Sequence, residues 1–326
     1  MTSMKSPVFS VVMPSYNHEK FIDDAIKSVV SQSIEELELI IVDDFSTDNS
    51  KDTIRSWVKK DSRIKAIFHK RNEGIARTCD DGIRNARGKY IALMASDDMF
   101  KENAFEKILD VLESTDYGVA VVEGEIIDVE NRRIGLLFSQ LHRKPPKHQG
   151  DFFKDLIRGN FVCTGIVRRC IIENHRISHD ENLERLDDWL FWLDLSSVCK
   201  FVFIEEPLYY HRIHRASASQ GEPIARDALR VYDIVLHKYG SILDFQTKSI
   251  LLKKRGIAYR KYDFEECKRS LYQSFLLNPS FLGRIKTLRT YVLVRLFGLT
   301  PSLTNFYLKV RRELKPRHKI AGKMLK

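Results

Sequence analysis

The chain has 326 residues and a mass of 38.0 kDa, and 43% of its residues are hydrophobic, 30% charged and 10% aromatic. This is the composition of a globular protein, and it excludes the disordered, collagen-like and low-complexity classes. The length allows about two domains and a sizeable hydrophobic core. The net charge of +10 excludes nothing by itself, because a total does not say where the charge lies.

The charge is distributed unevenly along the chain. Residues 220–326 hold 23 Lys and Arg against 8 Asp and Glu, whereas residues 1–219 hold 31 against 36. The sequence therefore predicts two domains, a slightly acidic body over 1–219 and a basic C-terminal region over 220–326.

Cysteine usage and apolar segments predict the compartment. Five cysteines without a CxxC pair argue against a disulfide framework and against a zinc ribbon. The N-terminal segment lacks the pattern of a signal peptide, and we find no run of about 18 apolar residues. The sequence thus predicts a cytoplasmic protein without a membrane-spanning helix.

Short apolar runs alternate with helical periodicity over the first 130 residues. The predicted strands are Val8–Met13, Leu37–Val42, Ile64–Phe68, Tyr90–Met94 and Val119–Val122. The predicted helices between them are 18–33, Lys51–Lys60, Ile75–Ala86 and Glu102–Glu113. This alternation is typical of an α/β domain with a mostly parallel sheet. Ligands bind such sheets beyond the carboxyl ends of the strands, so the residues that follow each strand are the informative ones.

The remainder of the chain turns helical. The order of elements over 131–180 is not evident from the pattern. A helix is predicted over Asp188–Ser196, a strand over Phe201–Ile204 and a loop over Arg215–Glu222. From Ile224 onward the periodicity is helical, and a segment around 256–279 resembles a single tetratricopeptide-type hairpin.

Polar residues follow three of the predicted strands. They are Pro14–Asn17, Asp43–Asp44 and Ser96–Asp98, and each set could simply cap the next helix. Three strand ends of one parallel sheet, however, bring their carboxylates to one crevice, which suits Mg²⁺ or Mn²⁺ and a diphosphate. The sequence contains no GxxxxGK[ST] motif and no GxGxxG after the first strand, so the metal and Arg or Lys would neutralise the phosphate.

Several motifs resemble a known family. The segments Ser10–Asn17, Leu39–Asp48, Asn72–Ile75 and Ala86–Asp98 resemble family-2 glycosyltransferases of the GT-A fold, strongly over about 1–100 and more loosely to about 215. The resemblance implies an α/β nucleotide-diphospho-sugar transferase domain with a mostly parallel sheet, followed here by a C-terminal α-helical region. It also implies transfer of a sugar from a nucleotide diphosphate to an acceptor hydroxyl, usually with inversion and with Mn²⁺ or Mg²⁺.

The resemblance assigns donor-binding roles to the residues that follow the strands. Pro14, Ser15, Tyr16 and Asn17 would line the nucleotide pocket, Asp44 would bind the base, Asp97 the ribose, and Asp98 the metal, with Asp97 as a second ligand. The family commonly has Asp where this chain has Ala95, and Asn where it has Asp80. The metal would therefore depend on the Asp97–Asp98 pair.

Two later segments complete the implied site. Leu186–Trp192 resembles the segment that carries the family's catalytic base, which places Asp188 as the base and Asp187 beside it. An inverting transfer needs a carboxylate that takes the proton of the acceptor hydroxyl, and a neighbouring carboxylate raises the pKa of that base. The alternative is a pair of solvated acids at a helix N-terminus. We interpret Trp189 and Trp192 as core residues rather than sugar platforms.

The second of these segments, Tyr209–Ser219, matches the family's stretch after the last strand. It offers His214 as a metal ligand and Arg212 as a partner for phosphate, with Arg215 as an alternative to Arg212. The histidines outside this segment and the cysteines are interpreted as core or surface residues, and Cys79 as a packed thiol rather than a nucleophile.

The basic C-terminal region suggests that the protein binds a membrane surface. Leu303–Leu314 has an amphipathic helical pattern flanked by Lys and Arg, which is typical of a helix on an anionic membrane. The alternative is a helix packed on the catalytic domain, and no nucleic-acid-binding motif is present. A peripheral location at the inner face of the plasma membrane would suit a glycan or lipid-linked acceptor.

The sequence as a whole predicts a metal-dependent inverting hexosyltransferase that uses a nucleotide-diphospho-sugar, preferably a UDP-sugar. Bacterial surface polysaccharide assembly, such as lipopolysaccharide O-antigen or capsule, is the expected setting. One alternative is a degenerate transferase that acts as an adaptor, which Ala95 favours. A sugar nucleotidyltransferase is a weaker alternative, because it would need a GxGxR-type loop where Pro14–Asn17 lies.

Overall fold

The computed structural model describes residues 6–142, 149–159, 164–214, 223–260, 262–278, 280 and 287–288. The chain divides into two compact units, Met1–Ile213 and His214–Lys326. The boundary predicted at 219/220 and the amphipathic segment Leu303–Leu314 lie outside the described residues.

The first unit alternates strands and helices. Its elements up to residue 113 are β1 Phe9–Ser15, α1 Ile22–Val30, β2 Leu37–Asp43, α2 Ser50–Lys60, β3 Ile64–Phe68, α3 Ile75–Asn85, β4 Tyr90–Leu93, β5 Met99–Phe100 and α4 Ala104–Glu113. Then come β6 Val119–Ile127, β7 Arg133–Leu137, α5 Phe138–His142, α6 Phe153–Gly159, β8 Gly165–Arg168, α7 Arg169–His175, α8 Asp187–Ser196 and β9 Phe201–Arg212.

Within the described residues, all nine strands belong to one mixed sheet. Its order is β3-β2-β1-β4-β8-β6-β9-β5, with β7 paired to β6. The strands β1 to β4 are mutually parallel, with Val11 opposite Leu39 on one side and Ala92 on the other. The strand β8 runs antiparallel to both β4 and β6, while β6 and β9 are parallel. The alternation read from the sequence thus corresponds to the parallel half of the sheet.

The parallel half is apolar because helices cover both of its faces. All seven residues of β2 are buried. Alternate residues such as Val11 and Leu39 join Ile22 and Ile26 of α1 in the main core, and α3 packs against β1 and β2. Strands that are buried on two faces read as continuous apolar runs, which is why the sequence revealed them.

The second unit is helical in the residues described. It contains α9 Pro223–Tyr239, α10 Phe245–Tyr259 and α11 Phe264–Leu277. The carboxylates of Asp244 and Asp263 cap α10 and α11 by accepting the N–H of Thr247 and Glu266. A Cβ at Gly256 would lie 2.9 Å from Leu271 Cγ, so these two helices touch and form the predicted hairpin. Among the described helices, none combines the length and the apolar character needed to cross a membrane.

Candidate active site

The carboxyl ends of β1 and β2 carry two buried polar atoms without a partner. Ser15 and Asp43 are the last residues of these strands and pair in register. Both side chains are buried, and neither Ser15 Oγ nor Asp43 Oδ2 has a hydrogen-bond partner within the protein. Buried polar atoms in proteins are nearly always paired, so these two atoms mark the ends of β1 and β2 as unusual.

The loops that follow β1 and β2 are bonded to each other. The N–H of Asn17 donates to Ser46 Oγ at 2.9 Å, and the N–H of Thr47 donates to Asn17 Oδ1 at 2.8 Å. Asn17 and Phe45 have positive φ angles of 54° and 67°. A positive φ is unfavourable for a bulky residue such as Phe and is frequent at functional sites. The strained loops hold the rings of Tyr16 and Phe45 exposed to solvent, 46% and 42% respectively.

Asp44 is held in one orientation. Its Oδ1 accepts the N–H of Glu73 at 2.7 Å and lies 2.8 Å from His69 Nδ1, while its Oδ2 accepts the N–H of Gly74 at 2.9 Å. The second nitrogen of His69, Nε2, lies 3.1 Å from Asp81 Oδ2. A carboxylate offers about four acceptor positions, so the fixed Asp44 retains one for a ligand.

Asp98, at the end of the β4 loop, is bonded to β9. Its Oδ1 accepts the N–H of Arg212 at 2.8 Å, and its Oδ2 accepts the hydroxyl of Tyr209 at 2.9 Å. The same oxygen lies 3.2 Å from His211 Nδ1. Burial alone would lower the pKa of His211, but attraction to Asp98 outweighs it and raises that pKa. The carboxylate predicted as the main metal ligand thus ties β4 to β9.

Arg212 is the largest fully buried side chain of the described residues. Its Nε donates to the carbonyl of Asp97 at 2.7 Å and one Nη to that of Asp128 at 2.9 Å. The guanidinium lies 4.8 Å from the ring centroid of Phe21. Burial lowers the pKa of Arg212 against the attraction of Asp98, but a guanidinium stays charged in proteins. The other Nη is buried without a partner, a position that suits an anion.

Three potential metal ligands converge near these loops. His18, Asp97 and His214 each offer one ligand atom, and these atoms lie within 4.8 Å of one another. The ring of His18 is oriented by Ser96, whose Oγ lies 2.8 Å from His18 Nδ1. Asp97 and His214 were predicted as ligands, whereas His18 was interpreted as a core or surface residue. The signal that could have found it is its position directly after the Pro14–Asn17 motif.

The pair Asp187–Asp188 begins α8. The residue before it, Leu186, has a positive φ of 63°, and Asp188 Oδ1 accepts the N–H of Trp189 at 2.7 Å. Asp187 is buried, whereas Asp188 is exposed. Burial, with a smaller contribution from Asp188, raises the pKa of Asp187 from 3.8 to about 7. Although the Asp188 residue is exposed, the protein packed around this helix start partly desolvates its carboxylate and so raises its pKa as well.

The neighbours of this pair are structural. Trp189 and Trp192 are buried, and Trp192 packs on Gly165 of β8, in agreement with their interpretation as core residues. Burial and the nearby Asp187 raise the pKa of Cys79 well above 9.0, so it stays a neutral thiol and a poor nucleophile.

A comparison with known proteins identifies the family. Residues 10–176, about half of the chain, match the family model described as glycosyl transferase family 2. The chain belongs to this family. It is 30% identical over 220 residues to an uncharacterised glycosyltransferase of Haemophilus influenzae, covering 64% of this chain and 66% of that one. It is 31% identical over 222 residues to EpsH of Bacillus subtilis, named as a candidate glycosyltransferase, covering 67% and 64%.

Two further relatives add context to the glycosyltransferase family. TuaG of B. subtilis, named as a candidate teichuronic acid biosynthesis glycosyltransferase, is 39% identical over 112 residues, which are 34% of this chain and 44% of that one. An uncharacterised glycosyltransferase of Rickettsia conorii matches 94% of this chain but 51% of its own length, at 27% identity. The chain thus spans between about half and two thirds of its longer relatives.

Solved glycosyltransferases share the fold. S. aureus TarS 1-349 in complex with UDP-GlcNAc matches with a TM-score of 0.66 and 18% identity, over 89% of this chain and 90% of that one. The mannosyltransferase PcManGT from Pyrobaculum calidifontis, in complex with GDP-Man and Mn²⁺, matches with a TM-score of 0.54 and 14% identity, over 91% and 82%. The first unit of this chain therefore has the GT-A fold, with a helical region after it, as the motifs predicted.

Proposed function

We propose that this glycosyltransferase transfers a sugar, with inversion, from a nucleotide diphosphate to an acceptor hydroxyl, and that the reaction depends on a divalent cation. The observation that carries the proposal is the cluster of His18, Asp97 and His214 beside loops that present unpaired buried polar atoms. Such atoms cost free energy unless a ligand pairs with them.

The donor would lie across the ends of β1, β2 and β4. In this proposal Pro14–Asn17 line the nucleotide pocket and the fixed carboxylate of Asp44 accepts a hydrogen bond from the base. The exposed rings of Tyr16 and Phe45 offer faces on which a base can stack. TarS and PcManGT carry UDP-GlcNAc and GDP-Man, and we favour a UDP-sugar here.

The ligand set fits a divalent cation. Two imidazoles and a carboxylate form a mixed nitrogen and oxygen set, which suits Mn²⁺ better than Mg²⁺ because Mg²⁺ prefers oxygen alone. When bound, the ion would neutralise the diphosphate and stabilise charge on the departing nucleoside diphosphate. Asp98, with one acceptor position left, is proposed as a further ligand, and the unpaired Nη of Arg212 would bind a phosphate oxygen.

Asp188 is proposed as the base. Its exposure lets it reach an acceptor hydroxyl, and its raised pKa brings it closer to working pH. Asp187, buried beside it, would retain a proton more readily and so leave the negative charge on Asp188.

The setting is proposed from relatives and from charge. TuaG is named for teichuronic acid biosynthesis, and we extend this to bacterial surface polysaccharides such as lipopolysaccharide or capsule, with a glycan or lipid-linked acceptor. Residues 281–326 hold 12 Lys and Arg and a single acid, Glu313, which suits contact with anionic lipid. We keep 1–219 and 220–326 as the proposed catalytic and basic domains.

Titration calorimetry with UDP, with and without Mn²⁺, tests the proposal. We expect binding that Mn²⁺ strengthens and that His18→Ala weakens by at least about tenfold, because a ligand to the ion is lost. His175→Ala, at an exposed histidine on α7, is the matched control and should bind like the wild type. UDP binding that is absent or indifferent to Mn²⁺ would refute the metal-dependent donor site and favour the adaptor alternative.

A further inference from the structure

A buried histidine–aspartate pair lies outside the roles assigned so far. His179 Nδ1 is 2.7 Å from Asp80 Oδ1, and the backbone N–H of His179 donates to the same oxygen at 3.2 Å. Both residues are only 5% exposed. Burying a carboxylate costs desolvation free energy, so stability alone does not account for this pair.

The ring of His179 supports the start of α8. It stacks on Phe191 with ring centroids 4.1 Å apart and an angle of 5° between the planes. Phe191 is fully buried and lies four residues after Asp187, which places both on one face of the helix. Asp80 belongs to α3, so the pair connects α3 to the helix that begins with Asp187 and Asp188.

Negatively charged groups predominate around the start of α8. Three carboxylates, those of Asp80, Asp187 and Asp188, surround the neutral thiol of Cys79. The charge of His179 acts on both Asp187 and Asp188 and opposes the rise of their pKa values. Further charged groups lie on the elements packed here: α3 carries Arg77, which pairs with Glu181 at the surface, together with Asp81 and Arg84. The helix α8 also carries Asp194, and α6 carries Lys154, Asp155 and Arg158.

We propose that Asp80 and His179 are positioning residues for the base: they hold the first turn of α8 in place and set one positive charge beside Asp187 and Asp188. This rests on the proposed role of Asp188. Asp80 orients the ring through Nδ1 while the stack on Phe191 fixes its plane. His179 then acts through the pair of acids and needs no contact with substrate.

The test separates charge from packing by means of two variants. His179→Gln keeps a hydrogen-bond donor for Asp80 but removes the charge, whereas Phe191→Leu removes the stack and keeps the charge. We expect the acidic limb of the kcat/KM profile to move up by roughly 1 pH unit in His179→Gln, with activity recovering at high pH. In Phe191→Leu any loss of activity should be the same at every pH, and the acidic limb of the kcat/KM profile should not move.

The outcomes are distinguishable. An unmoved limb in His179→Gln, or an equal shift in Phe191→Leu, overturns the inference. Asp188→Asn is the reference for the proposed function: if it retains transfer, the base assignment itself fails. If His179→Gln does not fold, ¹⁵N-histidine NMR of the wild type decides, with His179 assigned through its contact with Phe191. A ring protonated on both nitrogens through the acidic limb of the kcat/KM profile supports the proposal, and a neutral ring there refutes it.

Discussion

Asp187 and Asp188 are adjacent in sequence and differ in exposure, and this difference gives them separate chemistry. Two neighbouring carboxylates in a low-dielectric site do not ionise together readily. The buried Asp187, with its pKa near 7, is the acid that retains a proton more easily. The exposed Asp188 is the one that a substrate hydroxyl can approach.

Asp188→Asn should reduce transfer by a factor of about 10² to 10⁴ and leave nucleotide binding unchanged, because it removes only the proton acceptor. Initial rates and calorimetry on the same preparation measure the two effects. In the wild type, kcat/KM should fall on the acidic side as Asp188 takes up a proton, at a pH above the usual range of an aspartate because its pKa is raised. Turnover in Asp188→Asn comparable to that of the wild type would exclude the role of base.

The same pair makes a prediction for stability. Between pH 4 and 7 the folded chain holds a proton on Asp187 that the unfolded chain has lost, so the free energy of unfolding should decrease as the pH rises through that range. Asp187→Asn should remove this decrease. Urea denaturation at several pH values measures it, and an unchanged slope in the variant would contradict the raised pKa.

At the scale of residues, side chains that belong to a sequence motif were easier to assign to the candidate site than isolated side chains. Asp97 and His214 were expected as ligands from their segments, and both belong to the cluster. His18 was missed because its importance arises from a convergence of side chains in three dimensions. Asp43 was noted as one of two adjacent carboxylates but was given no role of its own, because its unpaired buried oxygen is not visible in the sequence. The bond between Asp98 and Arg212 spans 114 positions, which periodicity cannot reveal.

At the scale of elements, α8 is positioned by β8. An added Cβ at Gly165 would lie 2.7 Å from Trp192 Cη2, a distance that real Cβ atoms do not show. Gly165→Ala should therefore push the indole and the helix that carries Asp188, at a cost of about 1–3 kcal/mol in the free energy of unfolding. Urea denaturation measures this change.

A double-variant cycle supplies the control. The contacting atoms belong to the six-membered ring of the indole, so Trp192→Phe makes room for the added methyl group. Gly165→Ala should then cost less in the Trp192→Phe background than in the wild type. Equal costs in the two backgrounds would show that the indole is not what opposes the methyl group.

Elements with a buried, repeated pattern were the predictable ones. The ends of α2, α3 and α4 lie within two residues of the sequence prediction. The strands β5, β7 and β8 were not predicted: β5 has only two residues, and β7 and β8 lie within 131–180, where β7 is exposed or half-buried along its length and shows no apolar run. The strand β9 continues eight residues past the predicted end at Ile204, through Glu205–Pro207, where its pairing with β6 shifts register. A charged and kinked stretch of this kind reads as a loop in sequence.

At the scale of the whole molecule, the two halves of the chain differ in charge as well as in structure. Residues 1–219 are slightly acidic and include the carboxylates that surround the candidate donor and metal sites, whereas 220–326 carry an excess of 15 positive charges. The total of +10 therefore conceals two parts of the chain with charges of opposite sign, one that attracts cations and one that attracts anions. The basic C-terminal region would attract the protein to an anionic surface, and this attraction would weaken as the salt concentration rises.

Vesicle sedimentation of the full-length protein tests that preference. We expect binding to vesicles that contain phosphatidylglycerol, little binding to pure phosphatidylcholine, and loss of binding in high salt. Replacing Lys309, Arg311, Arg312 and Lys315 by Gln should weaken binding at least about tenfold, since each basic residue near an anionic surface contributes roughly 1 kcal/mol.

The matched control replaces the exposed Lys59, Lys60, Lys70 and Arg71 by Gln, which removes the same charge from the catalytic half. If the control loses as much binding as the C-terminal variant, net charge and not the basic end governs the attraction, and the proposed membrane contact fails.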